Sequence, residues 1–515
     1  MFTFHTTTSL TCADLSRLAK HHMQVELSAG VREKVSRSRD HLERLIEANK
    51  IIYGVNTSMG GFVNWLVPTD LAYTLQKNLI NAVATNVGEY FSDVEARATM
   101  LARINSLAKG NSALSLHNLE HLIKIYNTGI VPLIPRKGSL GTSGDLGPLA
   151  CVALVCCGQW KARVNGEEMC GSDALKCVGI TPTALSYKEG LALINGTSAM
   201  TALGSLLVED ACHLLDKYLT ISALSIEGLH GHVEPFHPDV HLYKPHEGQA
   251  WVASKIFSTL KSSSMACHEA TTEAKIQSIG TQSVLKAQTQ IEDAYSIRCT
   301  PQILGPIADA LEYVKCTVEN ELNSSNDNPL IVADTGAVHH NGHFHGQYIA
   351  MAMDFLAISF TTLSNLSNRR IDRFLDEKHS NGLPPFLCDK DPGLRLGLMG
   401  GQFMSAALTA ENRSLCNPVS IQSLSTTADF QDIVSFGLLA ARRAREIFEN
   451  VKYVIAFELL CGAQAADIRG IAQLSGNTHD LYAAVRKIVP FLDQDVVMTP
   501  YLEILKEQIL SPTAS

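Results

Sequence analysis

The sequence predicts a mainly α protein, a long-helix bundle preceded by a mixed N-terminal region. Three observations lead there: helical periodicity dominates the second half, strand-like runs are short, and glycine and proline cluster in four places. Leu203, Leu207, Leu214, Leu215 and Leu219 mark one apolar helical face. Ile307, Leu311, Val314, Val318 and Leu322 step by four, three, four and four residues and mark a second. Residues 347–366 and 434–450 carry Ala, Leu and Met with few breakers and are expected to be helical as well. Strand-like runs are short, as in Ile331-Val332. No repeat of 20–50 residues occurs, which argues against a solenoid. The length alone would suggest domains of about 150 residues. The expected division is instead an N-terminal region, 1–200, and a helical bundle, 201–515. That boundary is soft, because residues 188–207 run into the bundle without a linker.

The glycine and proline clusters are Tyr53 to Gly61, Pro132 to Pro148, Asn323 to Pro329 and Asn341 to Gly346. Loops of this kind between long helices are where function tends to sit.

Of the 515 residues, 46% are hydrophobic and 18% charged, enough for a buried interior and unlike a disordered chain. A net charge of −9 does not favour nucleic acid or an anionic membrane surface as partner. The first twenty residues lack a basic stretch followed by an apolar core, and no uninterrupted apolar run reaches the ~20 residues that span a bilayer. The 13 cysteines are scattered without CxxC pairs and read as reduced, mostly buried thiols. The expected compartment is the cytosol.

The densest chemistry lies in KGSLGTSGDLGPLA, residues 137–150, where Gly138, Gly141, Gly144 and Gly147 let the chain bend sharply. A phosphate cradle would need a Lys after the glycines, and none follows. A nucleophilic serine would need G-x-S-x-G, which Gly141-Thr142-Ser143-Gly144 misses by one residue. Two readings remain for the loop by itself. One is an ordinary turn before a helix. The other is autocatalytic cyclisation: the Gly144 nitrogen attacks the Thr142 carbonyl carbon, and loss of water and of the Ser143 hydroxyl leaves an electrophilic methylidene.

Other stretches bear on that choice: Tyr53-Gly-Val-Asn-Thr57, residues 138–149, Glu189 to Thr197, Asp293-Ala-Tyr-Ser-Ile-Arg298, Ser325-Asn-Asp-Asn-Pro329, Gly342-His-Phe-His345 and Leu383-Pro-Pro-Phe386. In this order, from about residue 50 to residue 470, they resemble the histidine and phenylalanine ammonia-lyase and aminomutase family. That family carries 4-methylidene-imidazol-5-one (MIO) as its prosthetic group. The resemblance implies the ammonia-lyase type of helical bundle and an MIO formed from Thr142, Ser143 and Gly144. Most members have Ala where this chain has Thr142, a change that leaves Ser143 and Gly144 intact.

The resemblance also implies roles. Tyr53 would be the general base on a mobile loop, taking the β-proton. A phenol titrates near 10, so Tyr53 would need a lowered pKa. Arg298 would hold the substrate carboxylate through a two-pronged salt bridge, with Asn328 adding a hydrogen bond. Asn195 and Tyr295 would flank the MIO ring and the amino group, with Tyr295 the next candidate for proton transfer. Phe344 would line the aromatic end, near Gln431, and Phe430 would crowd the ring. The histidines 339, 340, 343 and 345 have spacings that could hold zinc, but no carboxylate or cysteine adjoins them. They are expected to be hydrogen-bonding residues of a buried loop, and no metal is expected.

Side-chain selection in the family falls on the positions of Ala82 and Val83, where histidine lyases carry Ser-His and tyrosine lyases His-Leu. Two small apolar residues leave a phenol or imidazole without a partner, which costs about 1–3 kcal/mol, so a plain phenyl ring fits best. Residues 53–63, 81–87 and Thr142 look like the bacterial phenylalanine aminomutases of antibiotic biosynthesis. The implied reaction is conversion of L-phenylalanine to (S)-β-phenylalanine through an MIO-amine adduct and bound cinnamate. Alternatives are an ammonia-lyase releasing trans-cinnamate and a non-catalytic helical scaffold. The family further implies a homotetramer with shared active sites.

Overall fold

The computed structural model describes residues 1–278, 284, 286–287 and 290–511. Helix dominates and sheet is scarce, so the mainly α fold class is correct. Contacts group the chain into two units: Met1–Glu209 with Val314–Asp354 and Pro418–Arg442, and Asp210–Tyr313 with Phe355–Asn417 and Arg443–Ser515. The sequence placed one soft boundary near residue 200; the units are built from segments far apart in the chain. Four long helices are divided between the units: Ser198–Gly228, Thr300–Leu322, Gln347–Leu375 and Gly437–Arg469.

The first unit contains the short strands. Phe2–Phe4 pairs parallel with Val25–Leu27, and Val87–Tyr90 pairs antiparallel with Pro135–Lys137. Lys161–Val164 lies between Val131–Pro132 and Glu167–Cys170, and Leu330–Val332 pairs with Ala337–His339. Helices start where the sequence supplies caps: Thr11 and Ser92 form capping boxes with Asp14 and Glu95. Helix Asp93–Ala108 is buried from Ala96 to its end. It therefore carries its arginines inward, and Arg97 stacks on the Tyr126 ring at 4.2 Å. Leu146–Cys156, which follows the glycine-rich loop, is apolar all round and buried from Gly147 onward, anchoring one end of that loop.

The predicted faces are inside. Ile307, Leu311, Val314, Val318 and Leu322 are all buried, as are Leu203, Leu207, Leu214, Leu215 and Leu219. One expectation needs correction. The helix expected from residue 434 begins at Gly437, because Phe436 takes a left-handed conformation (φ 54) and its N–H is drawn to the Leu140 carbonyl, 3.0 Å away. None of the cysteines is in a disulfide, but Cys170, Cys177 and Cys316 are exposed and five others only half-buried. Helix Gln347–Leu375 is long and apolar enough to cross a bilayer by length and composition, yet 72% of its most apolar window is buried, as in a core helix.

In the second unit the polar centre is Arg370, fully buried with Glu458 at 3.1 Å. Arg370 also donates to Ser222, Thr300, Tyr218 and the Ser296 carbonyl, while Glu458 accepts from Tyr218 and Ser225. Removing one partner of such a pair leaves an uncompensated charge. Arg370→Met should therefore lose about 3–5 kcal/mol of stability. Arg370→Met with Glu458→Leu should lose less than the single variant, as read from denaturant midpoints.

Candidate active site

A cavity of about 600 Å³ lies in the first unit, and all four glycine and proline clusters contribute to its wall. Tyr53 and Thr57 come from the first cluster, Gly141 to Ser143 from the second, Asn328 from the third, and Asn341, Gly342, Phe344 and His345 from the fourth. Leu191 from the first turn of helix Glu189–Ile194 and Asn195 at its C-terminal end also line it, as do residues 430–434.

The glycine-rich loop is set by one close approach. Gly196 donates to the Ser143 carbonyl at 3.0 Å, and Asp145 N–H donates to the Gly196 carbonyl at 2.8 Å. A side chain on Gly144 (φ +82) would collide with the Gly196 carbonyl, so only glycine fits. Ser143 itself is left-handed (φ 46), and the Gly144 N–H is turned back onto the Gly141 carbonyl at 3.2 Å. A bare glycine amide turned back over a tight bend, with Ser143 and Thr142 on the cavity wall, fits the needs of ring closure. The Thr142 hydroxyl is buried without a partner among the described residues. Behind the loop, Asp145 accepts from the Met200 N–H at 2.8 Å, and burial pushes its carboxyl up to about 7.

Asn195 is oriented by its neighbours. Its Nδ2 donates to Asp327 Oδ1 (2.8 Å) and to the Asn328 carbonyl (3.0 Å), so Oδ1 is the end that can accept from a cavity ligand. Asp327 is fully buried and paired with the fully buried Lys188 at 2.5 Å. Burial lowers the Lys188 pKa, and Asp327 opposes that shift. Asn328 Oδ1 accepts from the Asn341 N–H at 2.8 Å, which leaves its amide nitrogen as the end able to donate. An acceptor for an ammonium group and a donor for a carboxylate therefore meet at one wall.

The Tyr53 hydroxyl accepts from the Gly60 N–H at 3.1 Å, and its own N–H donates to His340 Nε2 at 3.2 Å. The expected lowering of its pKa is not found. Burial raises it, and the Gly60 hydrogen bond offsets only part of that rise. Phe344 and Phe430 line the cavity with Ile433 and Val434. Gln431 also lines it, with its Oε1 already accepting from the Thr427 hydroxyl at 2.7 Å.

Four expected site residues lie elsewhere. Ala82 is exposed and Val83 half-buried at the end of helix Ala72–Val83, and neither lines the cavity. Tyr295 and Arg298 belong to the second unit. Tyr295 is 69% exposed; Arg298 is paired with Glu292 at 2.8 Å and lines a separate cavity of about 460 Å³. The histidine cluster was expected in a buried loop, yet His339, His340 and His343 are exposed. His340 serves as the acceptor for Tyr53 N–H and His345 lines the cavity. The sequence reading missed Leu191, Ile433, Val434 and, behind the wall, Gln76; apolar residues in helical runs carry no signal that separates a cavity wall from a core.

The aromatic amino acid lyase family model matches residues 10–487. The solved structure of Pantoea agglomerans phenylalanine aminomutase is 58% identical, covers 99% of both chains and superposes with a TM-score of 0.98. That of tyrosine aminomutase from Streptomyces globisporus is 38% identical over 99% of this chain and 96% of its own, with a TM-score of 0.94. Tyrosine ammonia-lyase of Cupriavidus metallidurans is 43% identical over 476 residues, 92% of this chain and 89% of that protein. The family's motifs, its bundle and its loop-built cavity thus occur together here, and the chain is an enzyme belonging to the aromatic amino acid lyase family.

Proposed function

We propose that this enzyme is a phenylalanine aminomutase that converts L-phenylalanine to (S)-β-phenylalanine. The reading is carried by one cavity whose lining combines the polar Tyr53, Ser143, Asn195 and Asn328 with the apolar Phe344, Phe430, Ile433 and Val434. The 58% identity to an aminomutase of phenylalanine supports both substrate and reaction. The Thr426 and Thr427 hydroxyls both donate to the Gln431 carbonyl oxygen, so it offers no free acceptor there for a phenol. An ammonia-lyase releasing trans-cinnamate and ammonia is the second reading, favoured by the 43% identity to a tyrosine ammonia-lyase.

Thr142, Ser143 and Gly144 would form the MIO group. That group supplies an electrophilic carbon for the substrate amine. Asn328 Nδ2 donates to the carboxylate, and Asn195 Oδ1 accepts from the ammonium. Tyr53 Oη takes the β-proton, and cinnamate stays in the cavity until the amine returns to the β-carbon and Tyr53 delivers the proton to the α-carbon. Phe344 and Phe430 hold the ring. Arg298 and Tyr295 act in a cavity of another copy within a homotetramer. The exposure of Tyr295 and the buried Nε of Arg298, without a hydrogen-bond partner among the described residues, support a partner for this segment.

Three outcomes follow. The intact mass should lie two waters below that of the encoded chain, and Ser143→Ala should retain at least one of them; an active protein of unmodified mass would end the MIO reading. A raised Tyr53 pKa makes the basic form scarce at neutral pH, so kcat/KM should climb as pH rises. Tyr53→Phe should remove that climb and at least about a hundredfold in kcat for both β-phenylalanine and cinnamate, with the MIO absorbance intact. Finally, co-expressed Tyr53→Phe and Arg298→Ala chains, each inactive alone, should recover activity in mixed assemblies. No recovery would place all of these groups within one chain.

A further inference from the structure

Gln76 lies on helix Ala72–Val83, outside every motif quoted above, and its side chain is fully buried. A buried primary amide is tolerated when both its ends are bonded. Here Nε2 donates to the Gly54 carbonyl at 3.1 Å and Oε1 accepts from the Leu191 N–H at 2.9 Å. Gly54 follows Tyr53. Leu191 belongs to the first turn of helix Glu189–Ile194, whose amides lack partners within the helix, and that helix ends at Asn195. One side chain therefore spans the two backbone segments that carry Tyr53 and Asn195.

Two glycines make the arrangement possible. A methyl at Gly190 would lie 3.0 Å from Gln76 Cβ, so the helix can approach this closely only without one. At Gly54, where φ is +71, a methyl would lie 2.6 Å from Leu191 Cδ2. The Tyr53 loop thus rests directly on the Leu191 side chain, and the Gln76 amide fastens both from behind.

We propose that Gln76 is a positioning residue that sets the separation of the Tyr53 hydroxyl from the Asn195 amide across the cavity. The inference rests on the roles proposed for Tyr53 and Asn195. Without the amide, the Gly54 carbonyl and the Leu191 N–H lose their partners, and Tyr53 keeps the His340 contact and the turn to Gly60 while Val55 stays anchored in the core. Substrate binding through Asn328 is untouched, whereas alignment for proton removal is lost.

The test uses the full-length enzyme with Gln76→Leu and Gln76→Glu. Gln76→Leu should raise hydrogen exchange in peptides spanning residues 52–61 by about tenfold or more. It should lower kcat by about tenfold while KM stays within about threefold, with the MIO absorbance unchanged. Gln76→Glu keeps the acceptor for Leu191, but its carboxylate faces the Gly54 carbonyl. Only the protonated acid can donate there, so the kcat of Gln76→Glu relative to the parent should rise as pH falls. A space-filling role would give a ratio independent of pH, because the two side chains have nearly the same shape. Unchanged exchange at 52–61 in Gln76→Leu, or a flat pH ratio for Gln76→Glu, overturns the proposal. If Gln76→Leu does not fold, the pH ratio of Gln76→Glu decides. The exchange measurement does not depend on what Tyr53 does. An active Tyr53→Phe enzyme would sink the proposed role of Tyr53 while leaving the tether measurable.

Discussion

The cavity depends on the contact between Gly144 and Gly196. Backbone bonds from Gly196 to Ser143 and from Asp145 to Gly196 join two segments some fifty residues apart into one wall. Neither residue tolerates a side chain: one at Gly144 would strike the Gly196 carbonyl, and one at Gly196 would strike Asn326 and, at 2.6 Å, Arg103. The contact therefore sets where Ser143 stands relative to Asn195, and it does so through main chain, which cannot rotate away as a side chain can. Arg103, fully buried, then ties Asn326 and the Ala192 carbonyl to the same place.

Buried charge specifies the chemistry of that wall more than it stabilises the fold. Taking Lys188 and Asp327 out of water is expensive, and their attraction offsets that cost only because Asp327 also accepts from Asn195 and from the Asn328 N–H. The consequence is an Asn195 amide with one possible orientation. Both of its acceptor partners lie on the protein side, so its oxygen is left for the ligand. Asp145 on the other side of the loop is raised to about 7 for a similar reason, burial, with backbone N–H groups from Met200 and Ala199 opposing the rise. The Tyr53 loop differs in kind. Its Tyr53 end is joined to the rest by side-chain bonds from Gln76 and to His340, and within the loop the Gly60 N–H donates to the Tyr53 hydroxyl; none of these involves the buried ion pair.

Much of this was legible in the sequence. Helical faces at 203–219 and 307–322 follow from apolar spacing, since burial of one stripe is what makes such a helix form. The four glycine and proline clusters marked the cavity wall correctly, because a chain that must bend or approach another backbone closely needs residues that permit it. Those local requirements are written in residue type. What residue type could not show was the face on which a side chain lies. Ala82 and Val83 end a helix and do not line the cavity, and helix Gly437–Arg469 starts late because the Phe436 N–H is hydrogen-bonded to Leu140, a residue nearly three hundred positions earlier. Gln76 gave no signal at all, since a lone glutamine in a helical run reads as solvated surface.

By itself, then, the sequence determined the helical class, the glycine-bearing turn at 141–144 and the chemical types available to the site, because these depend on local conformation and composition. Only the tertiary structure decided which atoms face the cavity: the Asn195 oxygen, the Asn328 nitrogen, and a Tyr53 hydroxyl whose pKa burial raises where the chemistry had called for it to fall. It also put Tyr295 and Arg298 in a different unit from the cavity. The physical reason is the same in each case. Hydrogen-bond direction and desolvation are set by neighbours that are remote in sequence, and spacing along the chain carries no record of them.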